Sequence, residues 1–71
     1  MAELTSTQFD LLARLLQSKE PARSGARLVL VEGKSNPEAY TMAGISPQSL
    51  SNTLGRYRKA HADICQAYKV D

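Results

Sequence analysis

Apolar residues first recur at Phe9, Leu12, Leu15 and Leu16, with Leu11 beside them, the three-and-four spacing of a helix that buries one face. Just ahead, Thr5-Ser6-Thr7-Gln8 matches the capping box, in which a hydroxyl and an amide side chain satisfy orphan backbone N–H groups reciprocally. Together they predict a helix from Thr5 to about Gln17. Ser18-Lys19-Glu20-Pro21 breaks it, because proline has no N–H to donate and disfavours helical geometry at Glu20.

The stretch from Ala22 to Glu32 reads two ways. Leu28-Val29-Leu30-Val31 has the composition of a strand, whereas Ser24 to Glu32 fits a helix closed by Gly33. A lone short strand with no partner elsewhere cannot form a sheet, so helix is the consistent choice. Asn36-Pro37-Glu38 then supplies an N-cap, a proline at the first helical position and an acid in the first turn, and Gly44 closes that short helix after Ala43. Ser46 and Pro47 repeat the start signal at once, and the helical pattern continues unbroken to about Lys69. Within it, Leu50, Leu54, Tyr57, His61, Ile64 and Tyr68 step by alternating fours and threes, an a/d seam. Gly55 beside that seam costs about 1 kcal/mol relative to alanine, so it either weakens the helix or admits a close neighbour. The expected fold is all-α: a small four- to five-helix bundle containing a helix-turn-helix, with a long C-terminal helix.

Composition narrows the function. Seventy-one residues make one domain, 1–71, with the motif at about 36–56 and the C-terminal helix 57–69 as a candidate dimerisation element. A chain of this size hides only about 60% of its unfolded surface on folding, which argues against a large catalytic cleft. Cys65 and His61, one residue of each type, do not amount to a disulfide or a zinc set, so neither metal nor cofactor is expected. Paired carboxylates and a nucleophile–base set are missing, and Gly33-Lys34 is only a fragment of a phosphate loop. The expectation is no catalytic residue, no enzyme and no small-molecule substrate. Without a signal peptide after Met1 or an apolar run of spanning length, the chain is expected in the cytoplasm with no membrane partner. Cys65 fits a reducing compartment, either as a packing residue or as an intersubunit disulfide or redox switch.

Charge points to a partner. Nine Lys+Arg against seven Asp+Glu give only +2, yet no acid lies between Ala39 and Ala62, where Arg56, Arg58 and Lys59 cluster. Local asymmetry of this kind weighs more for phosphate binding than the net value. The two helices around Gly44-Ile45-Ser46 read as a helix-turn-helix, with Ala39, Ala43, Ile45 and Leu50 packing between them. Tyr40 stands where most such motifs carry a small residue, so its phenol must tilt outward or spread the helices. Gln48, Asn52, Ser51 and Ser46 have the donors and acceptors that read base edges in the major groove. Lys34, Ser49, Arg56, Arg58 and Lys59 are the candidate phosphate contacts. The alternative is an αα-hairpin in a small bundle whose polar residues are simply solvated.

The run Leu28-Val29-Leu30-Val31-Glu32-Gly33-Lys34, then Gly44-Ile45-Ser46 and Ser49-Leu50-Ser51-Asn52-Thr53-Leu54-Gly55-Arg56, resembles the KorA (TrfB) family of plasmid-encoded transcriptional repressors. Leu4-Thr5 and Gln8-Phe9 resemble the opening of that family's first helix, so the similarity covers roughly residues 4 to 60. It implies a bacterial homodimer, nucleoid-associated when bound, that represses plasmid genes from palindromic operators on double-stranded DNA. Asn52 takes the place of the family's base-reading glutamine, Ser46 and Ser51 match its hydroxyl positions, and Arg56 matches a basic position. Pro47 replaces an arginine and Tyr40 a small residue, so a different operator is implied. Family repressors continue into a dimerisation domain; here the seam Tyr57, His61, Ile64 and Tyr68 is the candidate dimer interface, unless the same stripe packs against the first helix. The competing function is a small helical adaptor or antirepressor that binds another protein through that C-terminal stripe.

Overall fold

The computed structural model describes residues 3–68, which form four helices and no strand: α1 Ser6–Leu15, α2 Ala22–Leu30, α3 Asn36–Ala43 and α4 Pro47–Tyr68. The expected end of α4 near Lys69 lies outside the described residues. The Thr5 capping box forms, with Thr5 Oγ1 accepting from the Gln8 N–H at 3.1 Å and Gln8 Oε1 accepting from the Thr5 N–H at 3.0 Å. α1 stops at Leu15, short of the expected Gln17. There Gln17 takes a left-handed φ of 53°, and the Ser18 N–H returns to the Ala13 carbonyl at 2.9 Å, closing the last turn on itself.

The ambiguous segment is helix, and it starts at Ala22 rather than Ser24. Glu20 serves its first turn, accepting from the Ser24 hydroxyl at 2.7 Å and the Ser24 N–H at 2.8 Å. Those bonds, the hydroxyl's first, hold the Glu20 carboxyl below the ordinary carboxylate range. The cap of α3 is Ser35, one position before the expected Asn36, with Glu38 N–H and Ser35 Oγ 3.4 Å apart and the Ser35 hydroxyl donating to the Glu38 carboxylate at 3.1 Å. A serine hydroxyl outcompetes the neighbouring asparagine because it also binds the N3 carboxylate.

The core collects Phe9, Leu12 and Ala13 from α1, Ala26 and Leu30 from α2, Ala39 from α3, and Leu50, Leu54 and Tyr57 from α4, with Leu4 folded over them. Each buried leucine contributes about 1.5–3 kcal/mol. The Leu4 N–H ties the amino terminus to the Leu30 carbonyl at 2.9 Å. Leu15, expected on the buried stripe, is 60% exposed, and Leu11 is half exposed. The helix turns about 100° per residue, which puts Leu15 roughly 120° from Phe9, outside the arc that α2 and α4 cover.

α2 touches both α3 and α4 and seats the elbow between them. A Cβ built on Gly25 would stand 2.9 Å from Ile45 Cδ1, 3.3 Å from Leu50 Cδ1 and 3.4 Å from the Ala43 Cβ. The small residue that lets the elbow pack therefore comes from α2. Tyr40 is half-buried against the core's edge. On the far side, Arg27 clips α2 to α1, donating to Ser6 Oγ at 2.8 Å, pairing with Asp10 at 3.6 Å and lying 5.8 Å over the Phe9 ring. No described helix is long and apolar enough to cross a membrane.

Candidate nucleic-acid interface

The elbow is built from local chemistry. Gly44 takes φ 72°, a left-handed turn that residues with a Cβ adopt at a cost, and the N–H groups of Gly44 and Ile45 both return to the Tyr40 carbonyl at 3.0 Å. Two residues on, Ser46 Oγ accepts from the Ser49 N–H at 3.1 Å and starts α4. Ala39 and Leu50 are buried in the angle between α3 and α4, and Ala43 and Ile45 are half-buried there. These are the residues expected to pack between the two helices.

With its inner face fixed by Leu50, Thr53, Leu54 and Tyr57, α4 turns the opposite face outward. At about 100° per residue, Gln48, Asn52, Gly55 and Lys59 fall within roughly 40° of one line along the helix, with Ser51 beside them and Arg56 and Arg58 on opposite flanks. All seven are exposed. Gln48 Nε2 donates to Asn52 Oδ1 at 3.2 Å, so the two amides stand in register on adjacent turns and the Gln48 carbonyl and the Asn52 amino group are not used in that bond. Ser51 projects from the same surface. Ser46 is also exposed, but its hydroxyl is occupied as the cap, so its first role is to hold the helix start.

The candidate phosphate contacts divide. Arg56 reaches back to the Leu16 carbonyl at 3.2 Å, on the last turn of α1. Arg58 is gripped by Glu3 through two hydrogen bonds of 2.8 and 3.0 Å, a bond that raises the guanidinium's pKa further. Both arginines thus brace α4 against the amino-terminal part of the chain. Among the described residues neither Arg56 nor Lys59 is in an ion pair, so Lys59 stands free on the presented line. Ser49 is half-buried, and its carbonyl accepts from the Thr53 hydroxyl at 2.9 Å. Lys34 is exposed in the loop before α3, separated from the elbow by the full length of that helix, about 12 Å of rise. The geometry therefore brings Gln48, Ser51, Asn52 and Lys59 together, holds Arg56 and Arg58 at their flanks, and leaves Lys34 apart.

The a/d seam splits in the middle. Tyr57, read as a dimer contact, is 1% exposed and stacks on Phe9 with ring centroids 4.9 Å apart and planes within 3°. It is core, because the stripe on α4 meets α1 there. Its hydroxyl meets no partner within hydrogen-bonding geometry among the described residues, and burial raises its pKa above the usual 10.0, although the Ser18 side chain lies close enough to oppose that rise in part. His61 and Ile64 are half-buried and, with Gln8, Leu11, Leu12 and Cys65, line a groove of about 220 Å³ between α1 and α4. Tyr68 is 77% exposed beyond it. Cys65 Sγ lies 3.8 Å from His61 Nε2 at the mouth.

Sequence reasoning missed Glu3 and Gly25. Neither pairing has a local signal: Glu3 and Arg58 are 55 residues apart, and only the packed elbow shows why α2 needs a residue without a side chain. Comparison with protein-family models, with curated proteins and with solved structures returns no match.

Proposed function

We propose that the chain is a sequence-specific DNA-binding repressor that acts as a homodimer on a palindromic operator. The observation that carries this reading is the outward face of α4, where Gln48, Ser51, Asn52 and Lys59 project together behind a glycine elbow in a stretch without acids. A helix of this kind enters the major groove, its amides pair with adenine edges, and its cations meet the phosphates on either side. Repression follows from covering a promoter. The sequence resemblance to the KorA (TrfB) repressors extends the proposal to plasmid or mobile-element genes in a bacterial cytoplasm. The apolar groove between α1 and α4, lined by Leu11, Leu12 and Ile64, is the surface on which a second copy would seat.

The same groove favours a second reading, a helical adaptor or antirepressor that captures another protein there and leaves DNA alone. Replacement of side chains on α4 separates the two. Asn52→Ala costs about 1–3 kcal/mol on the cognate duplex and relaxes preference at one base pair, whereas Lys59→Ala weakens all duplexes alike and reduces the salt slope by about one. Fluorescence anisotropy across a salt series measures both. Equal losses for Asn52→Ala on cognate and random DNA exclude it as a reader, and a wild-type chain with no salt-dependent DNA binding favours the adaptor.

A further inference from the structure

The chain has four glycines, and three have a reason inside the fold. Gly33 and Gly44 both sit at φ 72°, and Gly25 is pressed against Ile45, Leu50 and Ala43. Gly55 has neither excuse. It lies inside α4, and a Cβ placed there would meet nothing within 4 Å. A glycine in a helix interior is less favourable than alanine, so the fold would be more stable with almost any other residue at this position.

Its place on the surface supplies the missing reason. Gly55 falls on the line of Gln48, Asn52 and Lys59, one turn beyond Asn52 and one turn short of Lys59. A helix with its side chains is about 10–12 Å across, and the major groove is about 12 Å wide, so a helix lying in it has almost no clearance. Where the side chain is missing, the surface retreats towards the backbone cylinder of about 2.3 Å radius, and the helix settles deeper. Apart from Glu3, whose carboxylate is held on Arg58 at one flank, the residues around Gly55 are amides, hydroxyls and cations, which suits a polyanion rather than an apolar helix of another protein.

We propose that Gly55 is the point of closest approach between α4 and the DNA, and that its missing side chain sets how deep Gln48 and Asn52 reach into the groove. This rests on the DNA-binding reading above. Gly55 is a positioning residue, trading helix stability for fit.

The test uses the full chain with Gly55→Ala and Gly55→Leu, measuring thermal unfolding, sedimentation and binding to a duplex enriched from a random pool. The expected result is a rise in unfolding midpoint of about 4–8 °C for Gly55→Ala. Alongside it, affinity for the enriched duplex falls about tenfold for alanine and further for leucine, while the oligomeric state is unchanged. Wild-type affinity in both variants overturns the proposal and leaves the DNA-binding reading standing. A lowered midpoint for Gly55→Ala, or altered self-association with intact DNA binding, overturns it in favour of a packing role. A wild-type chain that binds no duplex removes both the proposal and the reading beneath it.

Discussion

At Tyr57 local chemistry and burial pull in opposite directions. Its ring completes the core by stacking on Phe9, yet its hydroxyl has no hydrogen-bond partner among the described residues. An unmet buried hydroxyl costs free energy, so Tyr57→Phe keeps the packing and leaves stability equal or higher, while Tyr57→Ala loses about 3–5 kcal/mol. The pH dependence has a definite sign. Because the folded pKa is raised above 10.0, the neutral phenol's contribution is complete below that pH and is lost as pH rises through the folded value. Denaturant titrations at neutral and strongly alkaline pH should show this loss in the wild type and less of it in Tyr57→Phe; an equal alkaline loss in both removes the assignment. Most single residues whose role is local were legible without a structure, the cap of α3, Ser35 in place of Asn36, being an exception. The caps at Thr5, Gly44 and Ser46 each act within a few positions, and all three form. Glu3 was not legible, since its bond to Arg58 exists only once α4 returns to the amino terminus.

Among the elements, α2 is the one whose identity and purpose had to be separated. That Leu28-Val29-Leu30-Val31 is helical followed from the lack of any partner strand, although β-branched residues locally favour the alternative. Its purpose became visible only in the packed state, where Gly25 lets α2 approach the elbow of α3 and α4. Gly25→Val therefore forces branched carbon into the space of Ile45 Cδ1 and costs at least about 1–3 kcal/mol, with α4 displaced relative to α3. A urea denaturation midpoint that matches the wild type would show that the elbow tolerates the volume. On α1, the misplaced Leu15 has a similar origin. Spacing identifies an apolar arc, but the width of the buried part depends on what lies opposite: Phe9, Leu12 and Ala13 are buried and Leu16 is half-buried, while Leu15 falls outside.

For the whole molecule, the long helix joins two tasks. With 22 residues it rises about 33 Å, nearly the 36 Å long axis of the molecule, so one rigid rod carries both the presented polar face and the apolar groove at its far half. The seam read from sequence as continuous is divided by the fold: Leu50, Leu54 and Tyr57 belong to the core, His61 and Ile64 are half-buried at its edge, and Tyr68 is exposed. Periodicity alone has no means of marking that division, because it depends on which part of α4 the other helices cover. A two-fold pair joined through the outer half would carry two copies of the Gln48–Asn52 face on a single rigid frame, which fixes the spacing of the half-sites it reads. The measurement that tests this most directly is to sequence the duplexes that the full chain retains from a random pool. Enrichment of one inverted repeat with half-sites about one helical turn, or a multiple of it, apart is expected. A retained pool without any enriched sequence, or no retention at low salt, would contradict it.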